Sequence, residues 1–188
     1  MNHDDGDRVL RAAEAVFFQF GVQRANVQDV ADRAGVSRST LYRRFASKDE
    51  LFAAIVDRQV ADFLSGLYMA TIAMTHRQVY VECIARAARL ERHLPLLARI
   101  AAIEPERLTC SPTQADPSAI QGLRAGLERL LRGHAAVPDD DQIAAIVALA
   151  VRLGVGSLVC GSASLPAGDD PDVAWLDGLL AAGCIELG

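Results

Sequence analysis

The chain has 188 residues, of which 51% are hydrophobic, 5% are aromatic and 23% are charged, and its formal net charge is -5. An apolar content this high, in a chain this long, excludes intrinsic disorder and allows a substantial core. Alanine occurs 32 times. Because alanine loses no side-chain entropy in a helix, while strands prefer β-branched and aromatic residues, the composition predicts an all-α fold.

The N-terminus has no basic segment followed by an apolar one, so nothing marks the chain for secretion and we expect it in the cytoplasm. The cysteines form no CxxC pair, and no two histidines lie three or four residues apart. This spacing predicts reduced thiols, no metal site and no other cofactor. Cys110, in a turn-rich segment, is expected to be exposed, whereas Cys83, Cys160 and Cys184 lie in apolar helices and should be inert.

Charge divides the chain into two parts. Residues 1–60 carry nine basic and nine acidic side chains, whereas residues 61–188 carry ten and fifteen. Residues 33–48 hold five basic side chains and no acidic one. A charge run usually lies on a solvated face, so the run gains meaning only from the helices around it.

The first predicted helix has apolar residues at three- and four-residue spacing from Val9 to Phe20, and Gly21 stops it. Asn26 caps a short second helix, with Asp29 placed as in a capping box, and Gly35 ends that helix.

Ser37 then caps a third helix that runs to about Phe45. Two short helices joined by a tight turn with glycine are typical of a helix-turn-helix, whose second helix enters the major groove of DNA. A fourth helix begins at Ser47, with Glu50 as a second capping box. Lys48 lies at its N-terminus, where helices attract phosphate.

The segment "VQDVADRAGVSRSTLYRRFASKDELFAAIV" resembles the N-terminal DNA-binding region of the TetR family of bacterial transcriptional regulators. The resemblance extends over roughly residues 8–56. The family pattern of an IA-like pair, AGVS, TLYxxF, K and L is matched here by Val30, Ala31, Ala34 to Ser37, Thr40 to Tyr42, Phe45, Lys48 and Leu51. Val30 stands where isoleucine is commoner, and Asn26 stands where threonine is frequent. So many positions in one register make the resemblance specific.

The resemblance implies a three-helix helix-turn-helix DNA-binding domain in residues 1–50 and a helical ligand-binding and dimerisation domain in residues 51–188. It also implies a DNA-binding set of Gln28, Ser37, Arg38, Ser39, Thr40, Tyr42, Arg43 and Lys48. In this set Thr40, Tyr42 and Lys48 should bind phosphates, while Arg38, Ser39 and Arg43 should contact bases. The alternative for Thr40 and Tyr42 is packing between helices. Arg44 is expected to point to solvent.

Further helices are predicted in the second part. Residues 77–94 form a helical stretch and Pro95 opens the next helix. Residues 104–118 are rich in turns, and Asp116 and Pro117 start another helix. Acidic residues begin a long apolar helix near residue 139, and Asp170 and Pro171 start the last one.

Residues 143–163 are apolar over about the length of a bilayer span. Arg152 near the centre would make insertion costly, so we expect a helix that is buried in protein. The last two predicted helices are too apolar for a monomer surface, and the family pairs such helices in a dimer. The expected dimer interface comprises Leu153, Leu158, Trp175, Leu176 and Leu179. The alternative for residues 143–163 is an internal core helix.

An effector pocket is placed by the resemblance on Phe63, Leu67, Tyr80, Cys83, Ile84, Ala87 and Ile100. Each of these residues has plain core packing as its alternative. Arg86, Arg89 and Arg99 could bind an acidic ligand or lie on a solvated surface.

The sequence predicts a homodimeric regulator that binds double-stranded operator DNA, does not associate with a membrane and is not an enzyme. We expect a repressor that leaves a palindromic operator when a small effector of unknown identity binds. The alternatives are a DNA-binding activator, an effector-independent regulator and an all-α enzyme. An enzyme would need a convergent set of catalytic residues, whereas the acidic run Asp139–Asp141 suits a helix start better.

Overall fold

The computed structural model describes residues 3–107, 118–134 and 140–160. Nearly all of these residues are helical and none of them is in a strand, which confirms the predicted all-α fold. The α-helices are α1 (His3–Phe20), α2 (Val27–Ala34), α3 (Arg38–Arg44), α4 (Lys48–Thr71), α5 (His76–Ala87), α6 (Leu90–His93), α7 (Pro95–Ile103), α8 (Ser118–Gly133) and α9 (Asp140–Cys160). A 3₁₀ turn, Pro105–Arg107, follows α7.

Several predicted helix ends are confirmed. Gly21 ends α1 with a φ of +80°, and its N–H donates to the carbonyl of Phe17 at 2.8 Å. Pro95 opens α7, and acidic residues occupy the first turn of α9. The predicted helix start at Asp116 and Pro117 and the predicted last helix from residue 170 lie outside the described residues.

The predicted helical stretch over residues 77–94 is divided in the structure, since α5 ends at Ala87 and α6 begins at Leu90. No glycine or proline lies at this break. Instead, α9 approaches closely at Gly154, where a Cβ would lie 3.0 Å from Leu90 Cδ2 and 3.4 Å from the carbonyl oxygen of Ala87. Helix α9 therefore packs directly on the break between the two helices.

The buried side chains form two hydrophobic clusters. The head cluster contains apolar residues of α1–α3, Leu51 and Ile55 of α4, and Leu96 and Ile100 of α7. The body cluster is built by α5, α6, α8 and α9 with the remaining turns of α4 and α7. We use "head" for α1–α3 with the first two turns of α4, and "body" for the other described helices.

Two helices contribute to both clusters. The predicted domain boundary between residues 50 and 51 falls inside α4, which is continuous across it. Helix α7 packs against α1 in the head and against α6 and α9 in the body. The division of the chain at residue 50 stays a prediction, but α4 and α7 are the physical links between the two parts.

Ile100→Ala should lower the free energy of unfolding by about 2–5 kcal/mol, because it removes fully buried carbons that α7 inserts into the head cluster. Ile103→Ala is the matched control on the same helix, since Ile103 is 38% exposed. Its effect should stay near 0.5 kcal/mol, the usual size for a surface substitution. Urea unfolding of both variants checks this, and equal effects would contradict the shared core.

Candidate nucleic-acid interface

Helix α2 begins directly after Asn26, as predicted, but it lacks the reciprocal capping box. Asn26 Oδ1 accepts the backbone N–H of Gln28 at 3.0 Å. The N–H of Asp29 donates to the backbone carbonyl of Asn26 at 3.2 Å instead. A capping box uses glutamate or glutamine, whose longer side chain reaches back to the cap. The predicted cap is therefore confirmed, and the predicted box at Asp29 is wrong.

The turn between α2 and α3 depends on Gly35 and Ser37. Gly35 has a φ of +66°, a left-handed conformation that other residues rarely adopt, and its N–H donates to the end of α2. Two residues later, Ser37 Oγ accepts the N–H of Thr40 at 3.1 Å and so caps α3. The left-handed conformation of Gly35 and the Ser37 cap together set the direction of α3 relative to α2.

Helix α3 has one face in the head cluster and one face in solvent. Leu41 and Phe45 are buried in the cluster. The exposed side chains are those of Arg38, Ser39, Tyr42, Arg43 and Arg44. Because the core holds the opposite face, α3 presents a polar surface of arginines, a hydroxyl and an aromatic ring, the groups that contact bases and phosphates in a major groove.

The polar side chains of α3 are organised among themselves. Ser37 Oγ lies 2.9 Å from Ser39 Oγ and 2.8 Å from Thr40 Oγ1, in a short chain of hydroxyls. The Arg38 guanidinium lies 5.4 Å from the centre of the Tyr42 ring, within cation–π range. Tyr42 is 39% exposed, so packing between helices does not account for its position. Contact of these residues with DNA stays a prediction.

Two further members of the predicted DNA-binding set have intramolecular partners. Gln28 Nε2 donates to Asp32 Oδ1 at 2.7 Å on the exposed side of α2. Lys48 Nζ donates to the backbone carbonyls of Gln23 at 2.7 Å and Ala25 at 3.1 Å. Lys48 therefore ties the start of α4 to the link between α1 and α2, and one of its three N–H groups is left for a phosphate.

At Ser47 the cap of α4 is confirmed, and the second predicted box takes a shifted form. Ser47 Oγ accepts the N–H of Glu50 at 3.0 Å. Glu50 Oε2 accepts the N–H of Ala46 at 2.6 Å, one residue before the cap. The first turn of α4, which carries Lys48, is thus held on both sides.

A polar junction between head and body was missed by the sequence reasoning. Glu104, at the end of α7, is buried, and its Oε1 accepts the N–H of Gln23 at 3.0 Å. Its Oε2 accepts Arg107 Nε at 2.5 Å, and Arg107 Nη1 donates to Asp49 Oδ1 at 2.6 Å in the first turn of α4. A buried carboxylate needs such partners. In the sequence, the one signal of this junction is the Glu104–Pro105 pair at the start of a turn-rich segment.

Arg44 is exposed, as expected, but it also contacts the protein. Its guanidinium lies against α1 at Gly6, where a Cβ would overlap it. It also lies 5.9 Å from the centre of the Phe45 ring. The end of α3 is thereby placed beside the first turns of α1.

The comparison with known families decides what this head is. Residues 9–55 match the family described as bacterial regulatory proteins, tetR family. The head is therefore a helix-turn-helix domain of the TetR type. The match covers the helix-turn-helix, the cap of α4 and the first two turns of that helix, which are the elements described above.

Curated relatives match this chain over part of their length. The HTH-type transcriptional activator FasR of Mycolicibacterium smegmatis is 43% identical over 63 residues, which are 34% of this chain and 29% of FasR. The HTH-type transcriptional repressor KstR2 of Mycobacterium tuberculosis is 38% identical over 60 residues, which are 32% and 28% of the two chains. The chain therefore spans less than a third of the length of these relatives.

A solved structure extends the similarity in fold beyond the head. The crystal structure of a TetR-family transcriptional regulator from Streptomyces coelicolor aligns with 95% of this chain and 96% of its own, with a TM-score of 0.66. The sequences are 20% identical, so this comparison concerns the fold alone.

The predicted effector residues divide between the two clusters. Phe63, Leu67, Tyr80, Cys83, Ile84 and Ala87 are all buried in the body cluster. Ile100 lies in the head cluster instead, because α7 turns that face towards α1. The centres of the Phe63 and His93 rings lie 5.2 Å apart. Burial of the imidazole lowers the pKa of His93, and the positive charge of Arg86 lowers it further. A ligand contact at these positions stays a prediction.

The arginines considered for an acidic ligand also have partners inside the protein. Arg86 Nε donates to Glu82 Oε1 at 2.5 Å on the same helix. Arg99 Nε donates to the carbonyl of Phe18 at 3.3 Å, which joins α7 to α1. Arg86 is therefore paired within α5, whereas Arg99 links two helices.

Helix α9 carries two of the expected interface residues. Leu158 is buried inside its own chain, and Leu153 is half buried against the body cluster. The apolar side chain that α9 exposes most is Val159, at 55%. Trp175, Leu176 and Leu179 lie outside the described residues. Among the described helices, α9 alone is long and apolar enough to cross a membrane, and it packs against α5, α6, α7 and α8.

The two described thiols differ in environment. Cys83 is buried, and burial together with Glu82 raises its pKa to about 12, although Arg86 acts in the opposite direction. Cys160 is exposed at the end of α9, so the expectation that it is shielded is wrong. Cys110 and Cys184 lie outside the described residues. Among the described residues no group of three His, Cys, Asp or Glu side chains could hold a metal ion.

In a Cys110→Ser/Cys184→Ser background, we expect one thiol to react with a thiol reagent at pH 8 in the folded protein. That thiol is Cys160, because the nucleophile is the thiolate and Cys83 holds its proton until about pH 12. Adding Cys160→Ser should abolish the reaction until the chain is unfolded. Rapid labelling of Cys83 in that triple variant would contradict its burial.

The pKa of Cys83 also has a consequence for stability. An unfolded thiol loses its proton near pH 9, whereas the folded one keeps it to about pH 12. The contribution of this group to stability is therefore fully present below about pH 9 and is lost as the pH rises towards 12.

Proposed function

We propose that the chain is a sequence-specific transcriptional regulator that binds a palindromic operator as a homodimer in the cytoplasm and has no enzymatic activity. The observation that carries the proposal is the exposed polar face of α3, supported from behind by the head cluster and held by caps at Asn26 and Ser37. The family match over residues 9–55 supports the same assignment. A helix so placed can enter the major groove without rearrangement of the head.

We favour repression over activation, with release of the protein from DNA when a small effector binds. An effector acts only if it binds one arrangement of the two heads better than another. The site is proposed within the body cluster, at Phe63, Tyr80 and Ile84, and α4 and α7 connect that cluster to the head. Activation is the second candidate, because FasR is named an activator and KstR2 a repressor.

Titration of the purified protein against DNA from upstream of its own coding sequence tests the proposal. The binding should be tighter than to a scrambled duplex of the same length, and both affinities should fall as salt rises. Equal affinity for the two duplexes at every salt concentration would contradict sequence-specific binding. Deletion of the coding sequence separates the two directions, since neighbouring transcripts should rise for a repressor and fall for an activator.

Lys48→Ala and Arg38→Ala should have different effects on DNA binding. If Lys48 binds phosphate, its loss should weaken binding to every sequence alike and lower the salt slope by about 0.9 per contact, or about 1.8 for a dimer. If Arg38 contacts a base, its loss should cost about 1–3 kcal/mol and relax the preference at one half-site position. Because Lys48 also holds the link before α2, circular dichroism must show an intact fold. An unchanged slope in a folded Lys48→Ala protein would rule out the phosphate contact.

Val159→Glu tests the proposed dimer. Val159 is 55% exposed in the single chain, so a glutamate there is harmless unless another subunit covers it. Met69→Glu is the matched control, since Met69 on α4 is 64% exposed. Light scattering should show monomers for the first variant and dimers for the second. Leu158→Glu is a poorer probe, because it would bury a charge inside the chain itself.

A further inference from the structure

An arginine cleft lies between the first half of α1 and the end of α2, outside the predicted DNA-binding set. Its volume is about 430 Å³, and its charged lining consists of Arg8, Arg11, Asp32 and Arg33. The Asp32 carboxylate already accepts a hydrogen bond from Gln28 Nε2 at 2.7 Å. Three guanidinium groups against one carboxylate make the cleft positive in a chain whose net charge is -5.

The arginine cleft opens beside the turn between α2 and the recognition helix, α3. Gly35, the turn residue, is part of its lining. Arg8 Nη2 donates to the carbonyl of Ala34 at 2.6 Å and would lie 2.9 Å from a Cβ at Gly35. At the other end of α3, Arg44 lies against Gly6 of α1. The first half of α1 therefore runs beside the helix-turn-helix, and the cleft is fixed relative to α3.

The position of the cleft indicates which anion it meets. When a recognition helix lies in the major groove, the helix before it crosses the sugar-phosphate backbone. The end of α2 and the turn at Gly35 are then close to a phosphate strand. Arg11 and Arg33 are exposed, and neither has a hydrogen bond or ion pair in the described part of the chain. Guanidinium groups suit phosphodiesters because they donate two parallel hydrogen bonds.

We propose that Arg11 and Arg33 bind phosphodiester groups of the DNA backbone next to the base pairs that α3 contacts. The proposal rests on the proposed function, since it requires α3 to lie in the groove. This contact is distinct from that of Lys48, which bonds to residues 23 and 25 beyond the other end of α1. The head would then hold the backbone at both ends of α1.

Arg11→Gln and Arg33→Gln test the cleft, with Arg129→Gln as control. Arg129 is exposed on α8 and its substitution makes the same change in charge. Each protein is titrated over a range of salt concentrations against the operator duplex with flanks of about ten base pairs on each side, one helical turn. Each cleft variant should lower the salt slope by about 1.8 for two heads and weaken binding about eightfold per contact at 0.1 M salt, with the preference over a scrambled duplex unchanged. Arg129→Gln should keep the wild-type slope.

The Lys variants at both positions distinguish charge from packing. Arg11→Lys and Arg33→Lys should retain most of the wild-type slope if a phosphate is the partner. Slopes of the Gln variants equal to that of Arg129→Gln would overturn the proposal even when the operator is bound normally. If wild-type protein prefers no duplex, the proposed function fails instead.

A separate measurement with inorganic phosphate tests whether the cleft takes a small anion. We expect no shift of the melting temperature that depends on Arg11 or Arg33 at millimolar phosphate. A shift that either Gln variant abolishes, together with an unchanged salt slope, would assign the cleft to a free anion and overturn the DNA contact.

Discussion

The buried carboxylate of Glu104 is the contact on which the position of the head depends. It lies at the end of α7, it is 6% exposed, and it takes one N–H from Gln23 and one from Arg107. A charge removed from water in this way is stable only while all its partners stay in place. Gly21 makes the approach possible, since a Cβ there would overlap the Glu104 carboxylate. The link between α1 and α2 is consequently held by a residue of the body.

The same link is held from its other side by Lys48. The ammonium group binds two carbonyls of the link, and the neighbouring Asp49 accepts from Arg107. Movement of α7 relative to α1 would therefore disturb both the start of α2 and the first turn of α4. The hydrophobic contact agrees with this, because Leu96 and Ile100 of α7 complete the head cluster. Head and body are thus joined by polar contacts and by a shared core, and an effector that binds the body would have a physical route to the helix-turn-helix.

Much of the head could be predicted because its signals are local. Asn26, Gly35 and Ser37 act on backbone groups within three or four residues, so their roles follow from residue type and spacing. The core positions of Leu41 and Phe45 follow from helical periodicity. The place of Ile100 in the head cluster and the break between α5 and α6 could not be predicted in this way, because each involves a partner far along the chain. Gly154 lets α9 pack on the break, and Ile100 faces the head because α7 lies against α1.

The sequence by itself determined the all-α class, the capped helix-turn-helix with its basic exposed face, and the similarity of the head to the TetR family. Short sequence patterns specify those properties, because caps, turns and amphipathic spacing act within a few residues. The tertiary structure alone decided that Glu104 and Arg107 hold the head, that Lys48 holds the link between α1 and α2, and that Arg11 and Arg33 share a cleft. Gln23 and Glu104 are 81 residues apart, and Lys48 is 25 residues from the carbonyl that it binds. Contacts over such separations depend on how whole helices pack, and no local pattern specifies that.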